Sequence, residues 1–404
     1  MTQAETTVLS QYMTTEQSTF VVVGAGLAGA ATAWRLAEAG HDVTLVERGL
    51  PADHQGSSHG SARIFRYAYP STLYTDLVLR SRPLWSELEA AAGEQLISRT
   101  GCLDWGGRRD PRALARSLEG VGIEHELLSP ATASERWQIE FDSPVLWHPD
   151  AGVIDAERSV NAMVSLATSH GARLRTGWDV RRIERTTSGY RLHEAAGGTI
   201  DAERVVLCAG GFLPRLLQNT GVDERFMAAM PRFAVTQEQA YHFPYRDGAE
   251  GWPTFIHKTE AIQAYSLPGG RDADFRGQKL AEYAVGKSLP SAYEQDGQID
   301  PANRERLIAY VKDTLPGLVP EPYAETTCLF TTTPNEDFVL DRTENLTVIS
   351  PCSGHGAKFA PLIGVLAAHL AGAGTPAAGR AALPREFLVG GGLGAASLQK
   401  GGRR

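Results

Sequence analysis

The chain has 404 residues, 39 of them Lys or Arg and 47 Asp or Glu, for a formal net charge of −8. Hydrophobic residues at 42% and charged residues at 21% exclude a disordered chain. An acidic balance without a long Lys/Arg run argues against nucleic acid or a membrane surface as partner, and four irregularly spaced cysteines without a CxxC pair exclude a disulfide scaffold and a zinc ribbon. No metal site is expected, and the expected setting is cytoplasmic.

Residues 1–18 are polar, lack a basic n-region and an apolar h-region, and read as a flexible tail. An apolar run at 20–23 predicts a strand, followed by a glycine turn and a helix over 29–39. Arg35 and Glu38 make that helix too polar for a membrane span. Further strand-like runs lie at 43–46, 204–208 and 346–349, and helical periodicity marks 73–91, 156–170, 301–314 and 360–373. From 230 to 283, Phe, Tyr and Val alternate with polar residues, the pattern of antiparallel strands. The Gly-rich segment 391–404 reads as a second tail.

The first strand–turn–helix carries Gly24-x-Gly26-x-x-Gly29, and Glu47 ends the next strand. Gly24 makes the turn, Gly26 lets backbone N–H groups approach a pyrophosphate, and Gly29 packs the helix on the sheet. Glu47 can accept both hydroxyls of an unphosphorylated ribose, which disfavours NADP. This motif alone leaves NAD and FAD open. Two later returns, 171–180 with 204–211 and 348–358, bring further glycines to the same edge. A cofactor touched by three separated segments is long, and FAD fits better. Arg48, Ser58, Val180, Gly210, Gly354 and Gly356 join Gly24, Gly26, Gly29 and Glu47 as candidate cofactor contacts. The expected fold is α/β with α+β: a discontinuous Rossmann-like FAD-binding domain (19–97, 152–225, 326–390) and an antiparallel-sheet substrate domain (98–151, 226–325).

SSHGSARIFR at 57–66, LYTDLVLRSRPLWSELE, GVIDAERSVNAM, TTCLFTTTPNEDFVLD and SGHGAKF follow one another in an order that resembles the monomeric sarcosine oxidase and N-methyltryptophan oxidase family, within the D-amino-acid-oxidase-like superfamily. The resemblance covers roughly 19–375. It implies that Cys328 tethers FAD through a thioether and that Arg66 and Lys358 clamp a substrate carboxylate. It also implies that Arg63 lies against the flavin face with His59 nearby, that Lys279 activates dioxygen, and that Tyr265 lines the substrate pocket. Tyr283 stands where the sarcosine oxidases place a histidine, so substrate side chain and pH profile do not transfer. Cys102, Cys208 and Cys352 read as structural, and Trp252 and Phe255 are expected near the pocket strands.

The function expected is an FAD-dependent oxidase of the C–N bond of a secondary (N-methyl) or cyclic amino acid, giving an imine and, with O2, hydrogen peroxide. The expected partners are a small amine substrate and O2, and a monomer is expected. The alternatives are an oxidase of a pipecolate- or piperideine-carboxylate-like ring, a dehydrogenase with a non-oxygen acceptor, and a flavin binder without catalysis. An aromatic hydroxylase shares the glycine fingerprint but carries a Gly-Asp-Ala-type segment where this chain has SPCSGHGAK.

Overall fold

The structure is a computed structural model that describes residues 16–374 and 383–390. The expected tails over 1–15 and 391–404, and residues 375–382 of the expected cofactor domain, lie outside the described residues.

The strand Glu16–Val23 ends in a wholly buried apolar run, so it is covered on both faces as the centre of a parallel sheet must be. It pairs in parallel with Val43–Val46 on one side and Thr199–Leu207 on the other. Arg173–Arg175 extends the sheet beyond Val43–Val46, and Leu346–Ser350 runs parallel to the second half of Thr199–Leu207. Val180–Arg185, Tyr190–Glu194 and Val339–Thr343 complete eight strands. The chain therefore leaves Val23 towards one neighbour and later returns on the other side. That reversal opens a crevice at Gly24.

One sheet face, with Phe20, Val22 and Leu45, packs under the helices Leu27–Glu38, Thr72–Ala92, Ala156–Ser169 and Ala360–Leu370. Val21, Val23, Val205 and Leu207 point to the other face, as the period of two requires. Small residues let Leu27–Glu38 and Ala360–Leu370 approach closely: a Cβ on Gly364 would stand 2.6 Å from the Ala31 carbonyl oxygen.

Nine strands form the second sheet. Ala234–Pro244 pairs antiparallel along its length with Ala324–Thr332, and on its other edge with Gly277–Glu282 and Lys287–Leu289. The sheet continues through Gln263–Pro268, Thr254–Lys258, Cys102–Trp105, Val145–His148 and Glu126–Leu128. One face, carrying Tyr241, Phe243, Phe255 and Leu280, is covered by the helix Pro301–Thr314. Alternate residues on the opposite face, among them Ile256, Lys258, Lys279 and Cys328, line a cavity. A three-stranded sheet of Arg63–Phe65, Gly152–Ile154 and Ile97–Arg99 completes the strands among the described residues.

Two expectations differ from what is observed. Residues 16–18, read as tail, belong to the first strand, where Glu16 pairs with Arg173 and Arg175. Residues 326–332, assigned to the cofactor side, hydrogen-bond instead into the second sheet. Phe255 stands on a strand that lines the cavity, as expected, but both it and Trp252 are packed in the core under Pro301–Thr314. For Phe255 the cause is strand parity: it points away from its cavity-facing neighbour Ile256.

Gly364→Ala forces the two helices apart, because the atom it meets is backbone. Overpacking of this kind is expected to cost about 1–3 kcal/mol, read as a lowered midpoint in denaturant unfolding with an unchanged slope.

Candidate active site

A cavity of about 550 Å³ lies between the carboxyl ends of the parallel strands and the inner face of the second sheet. At its nucleotide end, Gly24 has φ +102°, and a Cβ there would meet the Cys208 carbonyl oxygen at 2.6 Å. A Cβ on Gly29 would fall 1.7 Å from the Gly24 carbonyl oxygen, so helix and turn touch without a side chain between them. Gly26 begins the helix with no capping side chain of its own. The Leu27 N–H donates instead to Ser58 Oγ at 3.1 Å, across from Gly26.

The Glu47 carboxylate accepts from the N–H of Ala25 (2.6 Å) and of Gly49 (3.0 Å). Burial pushes its pKa up, opposed by those two bonds. The Arg48 guanidinium lies 4.3 Å over the Phe212 ring. Val180 and Gly210 stand in the same wall, and Gly354 and Gly356 in the turn that leads to Ala360–Leu370.

The other end is cationic. Arg63 donates to the carbonyls of Ser57 and His59, both at 2.9 Å, and to that of Ala62, which locks its guanidinium to its own loop. Arg66 donates to the Ala68 carbonyl and sits with Cζ 4.2 Å over the Tyr69 ring. Lys358 Nζ is 5.6 Å from the same ring and donates to the His355 carbonyl at 2.6 Å. The Tyr69 ring is thus within cation–π reach of two cations; its hydroxyl is bonded to His355 Nδ1 at 3.1 Å. Lys358 is 3% exposed, and burial, then the nearby Arg66 charge, holds its ammonium well below the usual lysine range.

Lys279 and Cys328 come from two strands that flank Ala234–Pro244. Burial and the Arg63 charge bring Lys279 down to about 8, with Cys328 and Asp272 pulling the other way. Burial raises the Cys328 thiol, while Arg63 and Lys279 favour its thiolate. Tyr265 lines the cavity, its phenol raised by burial. Tyr283 lines it too and donates to Glu336 Oε1 at 3.2 Å. His59 does not line the cavity; its imidazole is buried and depressed to about 3, by burial first and then by Arg63.

The sequence matches the family described as FAD dependent oxidoreductase (DAO) over residues 19–370. The chain belongs to this family. It is similar to the monomeric sarcosine oxidase of Streptomyces avermitilis, 30% identical over 88% of this chain and 94% of that one. It is also similar to the N-methyl-L-tryptophan oxidase of Yersinia pestis, 28% identical over 86% and 93%. Among solved structures it resembles the open form of NikD, an amino acid oxidase essential for nikkomycin biosynthesis, with a TM-score of 0.80 and 26% identity over 90% of this chain and 96% of that one. An L-proline dehydrogenase from P. horikoshii shares the fold at a TM-score of 0.77 and 20% identity over 96% of this chain and 100% of that one.

This DAO-family chain is an FAD-dependent amine oxidoreductase, and its residues fit that cofactor. Gly24 and Gly26 leave a cradle that a Cβ would fill, and a helix N-terminus faces it with partial positive charge. The cavity is continuous from Glu47 to Lys279 and Lys358.

Two cations that line the cavity were missed in the sequence. Arg109 is 5% exposed, with Nε 2.6 Å from Asp104 Oδ1 and Nη2 donating to the Ala68 carbonyl at 2.9 Å. Lys258 ends its strand with Nζ 4.8 Å from the Tyr283 ring. The alternation Phe255-Ile256-His257-Lys258 was a usable signal for Lys258; the loop GGRRD gave none for Arg109. Cys102 and His148 lie beside Asp104, all three wholly buried, with ligating atoms within 4.8 Å of one another.

Asp104→Asn leaves the buried Arg109 charge without its counter-ion. The loss is expected to be about 3–5 kcal/mol, measured by denaturant unfolding.

Proposed function

We propose that this protein oxidises the C–N bond of a secondary (N-methyl) or cyclic amino acid to an imine and reduces O2 to hydrogen peroxide, as a monomer in the cytoplasm. The observation that carries the reading is the pair of cations, Arg66 and Lys358, both set against the Tyr69 ring at the end of a cavity that begins at the glycine turn. A fixed cationic pair suits a carboxylate and fixes the direction of the attached Cα–N bond. The printed names of the relatives, sarcosine and N-methyl-L-tryptophan oxidases, agree with an N-methyl amino acid.

FAD, when bound, supplies the two-electron acceptor. Around it the residues have separable tasks. Gly24, Gly26, Glu47, Ser58 and the wall formed by Arg48, Val180, Gly210, Gly354 and Gly356 hold the nucleotide. Arg63, already tied to three carbonyls, presents a charge that does not have to reorganise. Lys279 keeps its proton up to about pH 8 and stabilises negative charge developing on oxygen. Its position in the cavity favours an oxidase over a dehydrogenase with another acceptor. Cys328 is the thioether anchor.

Among the described residues, the histidines nearest the cavity are not suited to act as general base. The imidazoles of His59 and His355, each depressed to about 3 by burial, are poor proton acceptors at neutral pH. The amine is therefore taken from solution already deprotonated. Tyr283, whose phenol is raised by burial and by Glu336, stays neutral and adds no titration of its own near neutrality.

Anaerobic titration of the holoenzyme tests the reading. N-methyl and cyclic amino acids are expected to bleach the flavin absorbance, and the same amines without their carboxylate are not. Arg66→Met is expected to raise KM for the amino acid about 10- to 100-fold, the worth of a charge-assisted bond. Bleaching that is indifferent to the carboxylate refutes the clamp.

The anchor is checked separately by acid precipitation. Yellow colour is expected to stay with the wild-type pellet and to pass into the supernatant for Cys328→Ala.

A further inference from the structure

The clamp employs Arg66 and Lys358, and Arg63 and Lys279 have tasks of their own. Arg109 and Lys258 line the same end of the cavity, and the backbone fixes them to each other. The Arg108 N–H donates to the Lys258 carbonyl at 3.0 Å, and the Arg109 N–H to that of Gly106 at 2.9 Å. Gly106 has φ +100°, and a Cβ there would stand 2.3 Å from the Lys258 carbonyl oxygen, so only glycine lets the loop lie against the strand.

The two differ in how their charge is met. Arg109 is neutralised by Asp104 and shares with Arg66 the carbonyl of Ala68. Lys258 Nζ has no hydrogen bond or ion pair among the described residues. The carboxylate in the adjoining wall, Glu336, accepts from the Tyr283 hydroxyl. Burial, then Arg109 and Arg66, depress the Lys258 ammonium, while Glu336 and Asp104 pull the other way. With Asp104 paired to Arg109 and a substrate carboxylate held by Arg66 and Lys358, Lys258 is left lining the cavity without an ion pair among the described residues.

Taking Arg66 and Lys358 as the clamp proposed above, we infer that the substrate carries a second acidic group: it is an N-methyl or cyclic amino acid with a side-chain carboxylate, which Lys258 receives beside Tyr283. Lys258 is then a specificity-determining residue. An acid supplies the missing counter-ion, whereas an amide of the same shape leaves the ammonium partly buried and uncompensated.

The test compares N-methyl-L-glutamate with N-methyl-L-glutamine on the holoenzyme, as kcat/KM and as the concentration that half-bleaches the flavin anaerobically. Wild type is expected to favour the acid at least tenfold in both. Lys258→Met lowers that acid-to-amide ratio at least tenfold, chiefly through KM for the acid, and Lys258→Arg restores most of it; retained flavin absorbance shows that the variants are folded. If both compounds are oxidised with a ratio near one, or if Lys258→Met leaves the ratio unchanged, the inference is overturned while the amino acid oxidase reading stands. If neither these compounds nor any other N-methyl or cyclic amino acid bleaches the flavin, both fall together.

Discussion

Positive charge without a protein counter-ion is the constraint on which the cavity depends. Arg63 is met by three backbone carbonyls, Lys358 by one carbonyl and the edge of an aromatic cluster, and Lys258 by a tyrosine ring. Dipoles and π-faces hold these groups in place without cancelling them. An isolated charge removed from water is costly, and the cost is relieved by an anion of the right shape. The cavity therefore selects for acidic ligands before any specific contact is considered. Arg109 differs in having an ion pair, because Asp104 balances it inside the protein.

The fold holds this uncompensated charge through rigid, short connections. Arg63 and Arg66 stand on and beside a three-residue strand whose partner is Gly152–Ile154. Lys279 and Cys328 are placed by strands that both pair with Ala234–Pro244, so their separation is set by the ladder and not by loops. Lys358 follows a turn in which Gly354 takes φ +73° and a Cβ on Gly356 would meet the Pro351 carbonyl oxygen at 1.6 Å. Ser81 and Trp85 of the helix Thr72–Ala92 both donate to the Lys358 carbonyl, which fixes the backbone from which the ammonium projects. Groups fixed in this way need little reorganisation when a ligand arrives.

The nucleotide end was legible in the sequence because its rules are local. A strand, three spaced glycines, a helix and an acid at the end of the next strand lie within one short stretch, and each glycine answers to a contact that a Cβ would violate. The site residues shared with the sarcosine oxidase motifs were visible for a similar reason, since each sits in a short recognisable string. What escaped depends on pairing between distant segments. Strand periodicity states which residues share a face but not which strand lies alongside, so residues 326–332 were joined to the wrong sheet. Lys258 has the correct parity but ends its strand, where a lysine ordinarily reaches solvent. Arg109 became visible only when its loop was seen folded back towards Ala68.

The two lysines nearest the proposed chemistry show how the same residue type is set to different tasks. Lys279 has Asp272 and Cys328 beside it to favour its charged form, and it is depressed only to about 8. It therefore carries its charge at neutral pH whether or not substrate is present. For Lys358, burial and the Arg66 charge both work against the ammonium and hold it well below the usual lysine range. A carboxylate arriving between Arg66 and Lys358 reverses the sign of that neighbour effect and raises the proton affinity of Lys358. Binding an acid at this end and taking up a proton there are thus linked, whereas the charge at Lys279 is constitutive. The separation follows from placement: the charge acting on Lys358 is chiefly that of an arginine, whereas a carboxylate and a thiol act on Lys279 against Arg63.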